Sequence, residues 1–223
     1  MGEEFKPEFR PFTVEEGGKI INTVRVMLED MLMLSKSHTP PHPIQFTVKG
    51  LGIWLAVEKI KKDNFGYSRR VLRAHVGSPY PLTDSLYNDL VILTRRIADG
   101  GLNASPLSAN ELPRLVIEVA FNNTPITTTV DDLIKVFKPG YHGLLIKRPN
   151  GGIEAYLPHR FISIAEDLKQ RGITISNSNL IREACKAGCA EVKVFETQIF
   201  YEVTPGGEVI ERKLYMNRVF KGR

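Results

Sequence analysis

In the segment Val71-Leu72-Arg73-Ala74-His75-Val76, strand alternation puts Leu72, Ala74 and Val76 on one face and Arg73 and His75 on the other. The first set suits a core. The second places a permanent cation with five N–H donors beside an imidazole that titrates near neutrality. That pair can bind an anion and carry a proton. The segment Leu115 to Phe121 repeats the design, with Leu115, Ile117, Val119 and Phe121 inward and Glu118 on the opposite face. If the two strands are neighbours, Glu118 can orient Arg73 or His75. The plainer alternative is a cross-strand ion pair on a half-solvated face, worth under about 1 kcal/mol.

His142 is a further candidate, in the turn Pro139-Gly140-Tyr141-His142-Gly143. With His75 and Glu118 it would make a sparse acid–base or metal constellation. No closely spaced ligand pair supports a metal, so none is expected. His38 and His42 sit in a Pro-rich loop, and His159 after Pro158 reads as a packing or capping residue. Cys185 and Cys189 read as buried thiols at a frayed helix end rather than a redox pair. Walker A, GxGxxG and Gly-x-Ser-x-Gly patterns do not occur, which removes the usual footholds for ATP, NAD and serine-hydrolase chemistry. No cofactor is expected.

The elements that must position these residues follow from periodicity. Thr13 and Glu16 form a capping-box pattern before Ile20, Ile21, Val24, Leu28, Met31 and Leu32 at helical spacing. Gly17 and Gly18 weaken those first turns by about 1 kcal/mol each relative to Ala, which favours a later start. Pro40, Pro41 and Pro43 end the helix. Strands are expected at Ile44–Val48, Gly52–Ile60 and Ser68–Val76. Pro81 opens a helix carrying Leu82, Leu86, Leu90, Leu93 and Ile97, stopped by Gly100 and Gly101. Short helices at Asp131–Val136, Ser163–Arg171 (with a Ser163/Glu166 capping box and Gly172 as its stop) and Asn179–Ala187 flank a hairpin, Leu144–Arg148 with Ile153–Leu157. The strands Glu191–Val203 and Glu208–Met216 close the chain. The expected fold is α+β: a larger subdomain of residues 1–124 and 190–223 around an antiparallel sheet, and a smaller inserted subdomain of residues 125–189.

Composition is that of a globular protein: 223 residues, 42% hydrophobic, 25% charged, net charge +5. No apolar run approaches the roughly 18 residues of a membrane span. No secretory signal is visible, and two cysteines are no extracellular framework, so a cytoplasmic protein is expected. Basic residues gather at Lys59–Arg73 and in the last thirteen positions. Such runs are usually solvated surface, and nucleic acid is not an expected partner.

Leu72-Arg73-Ala74-His75-Val76-Gly77 resembles the Leu-Arg-Gly-Cys-Ile-Gly signature of the AMMECR family, the protein A type of AmmeMemoRadiSam systems. Other blocks follow in that family's order: Pro81-Leu82, Pro106-Leu107, Glu111-Leu112-Pro113-Arg114-Leu115, Ile117-Glu118-Val119, Pro139 to Leu144, Leu157-Pro158 and Cys185 to Gly188. The resemblance implies two subdomains with the signature side chains facing a cleft between them. It also implies a Memo-like metal-enzyme homologue and a radical SAM protein as companions, and a large substrate or protein ligand. Ala74-His75 replaces the Gly-Cys pair, so a thiolate at that position is absent. Two functions remain open. One is an enzyme or enzyme subunit in which Arg73 binds an anionic or carbonyl-bearing group, His75 moves a proton, and Glu118 and His142 assist. The other is an adaptor that presents a substrate or protein to the companions.

Overall fold

The computed structural model describes residues 8–33, 48–62, 66, 68–102 and 105–212. The fold is α+β. Its elements are α1 (Val14–Leu32), β1 (Gly52–Lys62), β2 (Ser68–Ser78), α2 (Leu86–Ala98), a 3-10 turn (Ala109–Arg114) and β3 (Leu115–Asn122). There follow β4 (Ile126–Thr128), α3 (Val130–Val136), β5 (His142–Lys147), β6 (Ile153–Tyr156), α4 (Arg160–Gln170), α5 (Asn177–Ala184), β7 (Glu191–Glu202) and β8 (Val209–Glu211). Along the sheet the order is β2-β1-β3-β7-β5-β6, with β4 and β8 also paired to β7. Among the described residues no helix is long and apolar enough to cross a membrane.

The chain forms two compact units, a larger one of Pro11–Phe121 with Gln198–Arg212 and a smaller one of residues 8–10 with Asn122–Thr197. In the larger unit α1 starts at Val14, earlier than its glycines suggest. Thr13 and Glu16 close the expected capping box, and the missing side chain of Gly17 lets the Phe200 ring pack directly on the helix. Ile20, Ile21, Val24 and Leu28 of α1 join Leu90, Leu93 and Ile97 of α2, Leu55 and Val57 of β1, and Phe121 in the core. Each such side chain stabilises the fold by about 1.5–3 kcal/mol. The Phe121 ring lies 4.7 Å from Phe12 and 6.5 Å from Phe200. All eight residues of β3 are buried, so both its faces are covered.

α5 starts at Asn177, two residues before expectation, and two other helix starts differ by more. α2 begins at Leu86, not Pro81, because Ser85 is its cap. The preceding turn is tied down instead by buried Asp89, which accepts from Thr83 Oγ1 (2.6 Å) and Leu82 N (3.2 Å). α4 begins at Arg160, so Ser163 lies inside it and caps nothing. The start is set by turn bonds from Arg160 N to Leu157 O and Phe161 N to Pro158 O, with Phe161 fully buried. β4 is an additional strand. The Pro-rich loop and the expected strand at Ile44–Val48 lie outside the described residues except for Val48, which is not in a strand.

The smaller unit packs Leu133, Phe137, Leu144, Ile146, Phe161, Leu168 and Ile181 into its own core. Cys185 and Cys189, expected as free thiols, are joined in a disulfide. α5 ends at Ala184, and the following turn, closed from Gly188 N to Cys185 O, brings their Cα atoms to 5.4 Å, within disulfide reach.

Candidate functional site

β2 pairs antiparallel with β1, with Val57 opposite Ala74 and Glu58 opposite Leu72. Arg73 therefore has no opposite residue: it is the extra residue of a β-bulge. A bulge interrupts the alternation of faces. Ala74 and Val76 point into the core, as expected. Leu72 does not; it turns outward beside Glu58 and is 55% exposed. His75, opposite Ala56, is exposed on the other side from Ala74.

The bulge aims Arg73 at the 3-10 turn and the loop before it. Its Nε and Nη2 grip Glu111 Oε1 (2.8 Å) and Oε2 (3.1 Å) in a bidentate fork. Nη1 donates to Ser105 O (3.0 Å), and Nη2 also reaches Pro106 O (3.0 Å) and Ser105 Oγ (3.4 Å). All three guanidinium nitrogens are thus engaged within the protein. Glu111 further accepts from Ser108 N, as the far side of a capping box, and lies 3.5 Å from Lys59 Nζ.

The Arg73 hydrogen bond, above all, holds the Glu111 carboxyl down at about 2 against an ordinary value of 4.5; Ser108 N–H and the charges of Arg73 and Lys59 add to it. A carboxyl whose value is depressed in the folded state stabilises fully above its unfolded value and loses that contribution as pH falls toward its folded one. The urea midpoint of the wild type is therefore expected to fall between pH 4.5 and 2, with Glu111→Gln giving a flatter profile over that window. Equally steep profiles would exclude the Arg73–Glu111 pair as the cause.

Glu118 does not meet Arg73 or His75. It is 6% exposed on β3 and stands 2.7 Å from Arg212 Nη2. Its Oε2 has no aligned N–H, so this is an ion pair without a directed hydrogen bond. Burial pushes its carboxyl up, against the pull of Arg212 and Arg70. Both those guanidiniums lie against the Tyr201 ring, at 4.8 Å for Arg70 and 4.6 Å for Arg212, and Arg70 also donates to Val203 O.

His142 belongs to the smaller unit and is buried at the start of β5. Its Nδ1 accepts Lys138 N–H (3.1 Å), which leaves the proton of the neutral ring on Nε2, 3.8 Å from Glu196 Oε1. Glu196 in turn accepts Phe9 N–H (2.9 Å). Burial is the main influence on the imidazole and pushes it down; Glu196 acts the other way. His142 thus closes the Lys138–His142 turn through Nδ1.

In the larger unit, then, Arg73, His75 and Glu118 occupy separate surroundings. Among the described residues no three His, Cys, Asp or Glu side chains converge as metal ligands. Sequence reasoning missed the partners Glu111, Lys59, Arg212, Tyr201 and Glu196. Only Glu111 carried a local signal, its capping-box spacing from Ser108.

No protein-family model matches the chain. It is similar to a protein of Pyrobaculum islandicum, 29% identical over 216 residues, spanning 92% of each chain. A protein of Methanosarcina acetivorans is 32% identical over 154 residues, spanning 64% of this chain and 72% of its own. Among solved structures, uncharacterized protein PH0010 from Pyrococcus horikoshii shares the fold, with a TM-score of 0.67 and 19% identity over 92% of this chain and all of that one.

Proposed function

The chain belongs to the archaeal family of its Methanosarcina acetivorans relative, and we propose that this is the AMMECR family its motifs resemble and that the chain is a binding module for a partner protein rather than a catalyst on its own. The observation that carries this reading is the state of Arg73. An arginine that takes a substrate anion offers its fork to the ligand; this one has closed its fork on Glu111 and the Ser105–Pro106 backbone. Glu118 is likewise committed to Arg212.

Of the described residues that β2 exposes, two are apolar, Val71 and Leu72, and two are polar, Arg70 and His75. Leu72 shares a face with His75, Val71 stands in solvent on the opposite face, and exposed Leu102 is tied by its N–H to His75 O (3.1 Å). Lys61 and Lys62, also exposed, end the neighbouring strand. Apolar side chains bordered by cations suit a protein surface that is apolar at its centre and acidic at its rim. The Memo-like and radical SAM companions implied by the resemblance are the partners to try, in the cytoplasm.

The enzyme reading retains one observation, the exposed imidazole of His75. One experiment separates the two. The chain is titrated with each companion by calorimetry, beside a thermal-shift screen against metabolites and metals. A binding module is expected to form a complex that Leu72→Asp weakens tenfold or more and His75→Ala leaves nearly unchanged. No complex, together with a small-molecule stabilisation abolished by His75→Ala, would replace this reading with the enzyme.

A further inference from the structure

We infer that Cys185 and Cys189 form a reversible thiol–disulfide site on the smaller unit, exchanging two electrons with a dithiol from solution while the unit keeps its fold. The cross-link closes a loop of three intervening residues, Lys186, Ala187 and Gly188. A cross-link restrains the unfolded chain least when its loop is short, so the fold depends on this one weakly.

The ends of the loop are held by bonds that do not involve sulfur. Gly188 N donates to Cys185 O (2.8 Å), and Ala190 N donates to Lys147 O (2.8 Å). Arg148 Nη1 donates to Gly188 O (2.9 Å). Arg148 is itself fixed, through Nη2, to Glu154 and to Tyr156 Oη (2.8 Å). These contacts keep the two sulfurs within reach of one another once the bond is open. Both cysteines are half-buried against the smaller unit's core, and the loop between them carries the exposed Lys186 and Ala187, the side from which a dithiol would approach.

In the forward step a thiolate of the dithiol bonds to one sulfur as the Cys185–Cys189 bond breaks. The dithiol's second thiolate then displaces that sulfur. The dithiol leaves as its disulfide, and two electrons and two protons end on Cys185 and Cys189. The return step needs only an oxidised dithiol.

The test uses the intact wild-type chain without denaturant. It is treated with dithiothreitol, alkylated with iodoacetamide and weighed by mass spectrometry, with circular dichroism recorded alongside. Expected are no added groups before reduction, two after it, an unchanged dichroism spectrum, and none again after oxidised dithiothreitol. Alkylation before reduction would overturn the pairing. Alkylation only in urea would make the bond a sealed cross-link, and loss of the dichroism signal on reduction would make it a structural one. Arg148→Met, which frees Gly188 O, is expected to slow reclosure at least threefold with the same final mass. An unchanged rate would remove Arg148 from the site.

Discussion

Replacing Glu202 by Ala is expected to destabilise the protein by about 3–5 kcal/mol, the usual cost of stranding one member of a buried ion pair. Glu202, 2% exposed, takes Arg25 Nε on Oε1 (2.6 Å) and Arg25 Nη2 on Oε2 (2.5 Å). Its Oε2 also accepts Ile117 N–H (2.9 Å), and Arg25 Nη2 donates to Leu115 O (2.7 Å). One carboxylate and one guanidinium thereby tie α1, β3 and the end of β7 together. Removing the carboxylate leaves the largely shielded Arg25 with only the Glu29 carboxylate, 4.0 Å away and part-exposed, and takes the acceptor from the Ile117 amide. Removing both charges should cost much less, because an apolar pair of similar volume replaces two desolvated ions. Arg25→Met/Glu202→Leu is therefore expected to be more stable than Glu202→Ala, as read by urea denaturation. If Glu202→Ala costs under about 1 kcal/mol, or the double variant costs the sum of the single ones, the network does not hold the elements together as described.

The second large effect is expected at Gly101. Its φ is +61°, and a Cβ there would stand 2.5 Å from the carbonyl oxygen of His75. The left-handed conformation alone costs a non-glycine residue about 1–2 kcal/mol. Here the obstacle is also backbone and cannot rotate aside. The neighbouring bond from Leu102 N to His75 O (3.1 Å) would have to lengthen, adding about 0.5–1.5 kcal/mol. Gly101→Ala is thus expected to cost about 2–4 kcal/mol and to speed hydrogen exchange at Leu102 N–H. Gly151 provides the control: its φ is +84°, but nothing lies within 4 Å of a Cβ there. Gly151→Ala should show the conformational cost only, about 1–2 kcal/mol. Equal costs at the two positions would mean that the approach of Gly101 to β2 is not a fixed feature of the fold.

Local chemistry was readable where one segment contains the whole interaction. The Thr13–Glu16 box and the α1 core stripe need only four to fifteen consecutive residues to be stated. The same holds for the β5–β6 hairpin and for Gly172 as the stop of α4, where Ile173 N donates to Leu168 O. Ser163 and Glu166 show the limit of that logic. The spacing is right, yet the helix starts three residues earlier because Phe161 is buried at its first turn.

The candidate site was legible in residue type and mislaid in partnership. Arg73 and Glu118 were both recognised as charges that must be answered. Their counterparts, Glu111 and Arg212, lie 38 and 94 positions away in the chain, and no local period links such pairs. The bulge is subtler still: a single unpaired residue at Arg73 sends Leu72 to solvent, although strict alternation puts it inside. Cys185 and Cys189 read as buried thiols because a free cysteine usually packs as a small hydrophobe; the turn that joins them lies just past the end of α5 at Ala184, and no local period announces it.

What the amino-acid sequence determined by itself, then, is the α+β class, most of the elements and which side chains carry charge or chemistry, since these follow from neighbours within a few residues. The tertiary structure alone decided which charges meet, which face each side chain of β2 presents, and that the Arg73 fork is closed. Those outcomes depend on strand register and on segments brought together from far along the chain, and a shift of one residue in register reverses them.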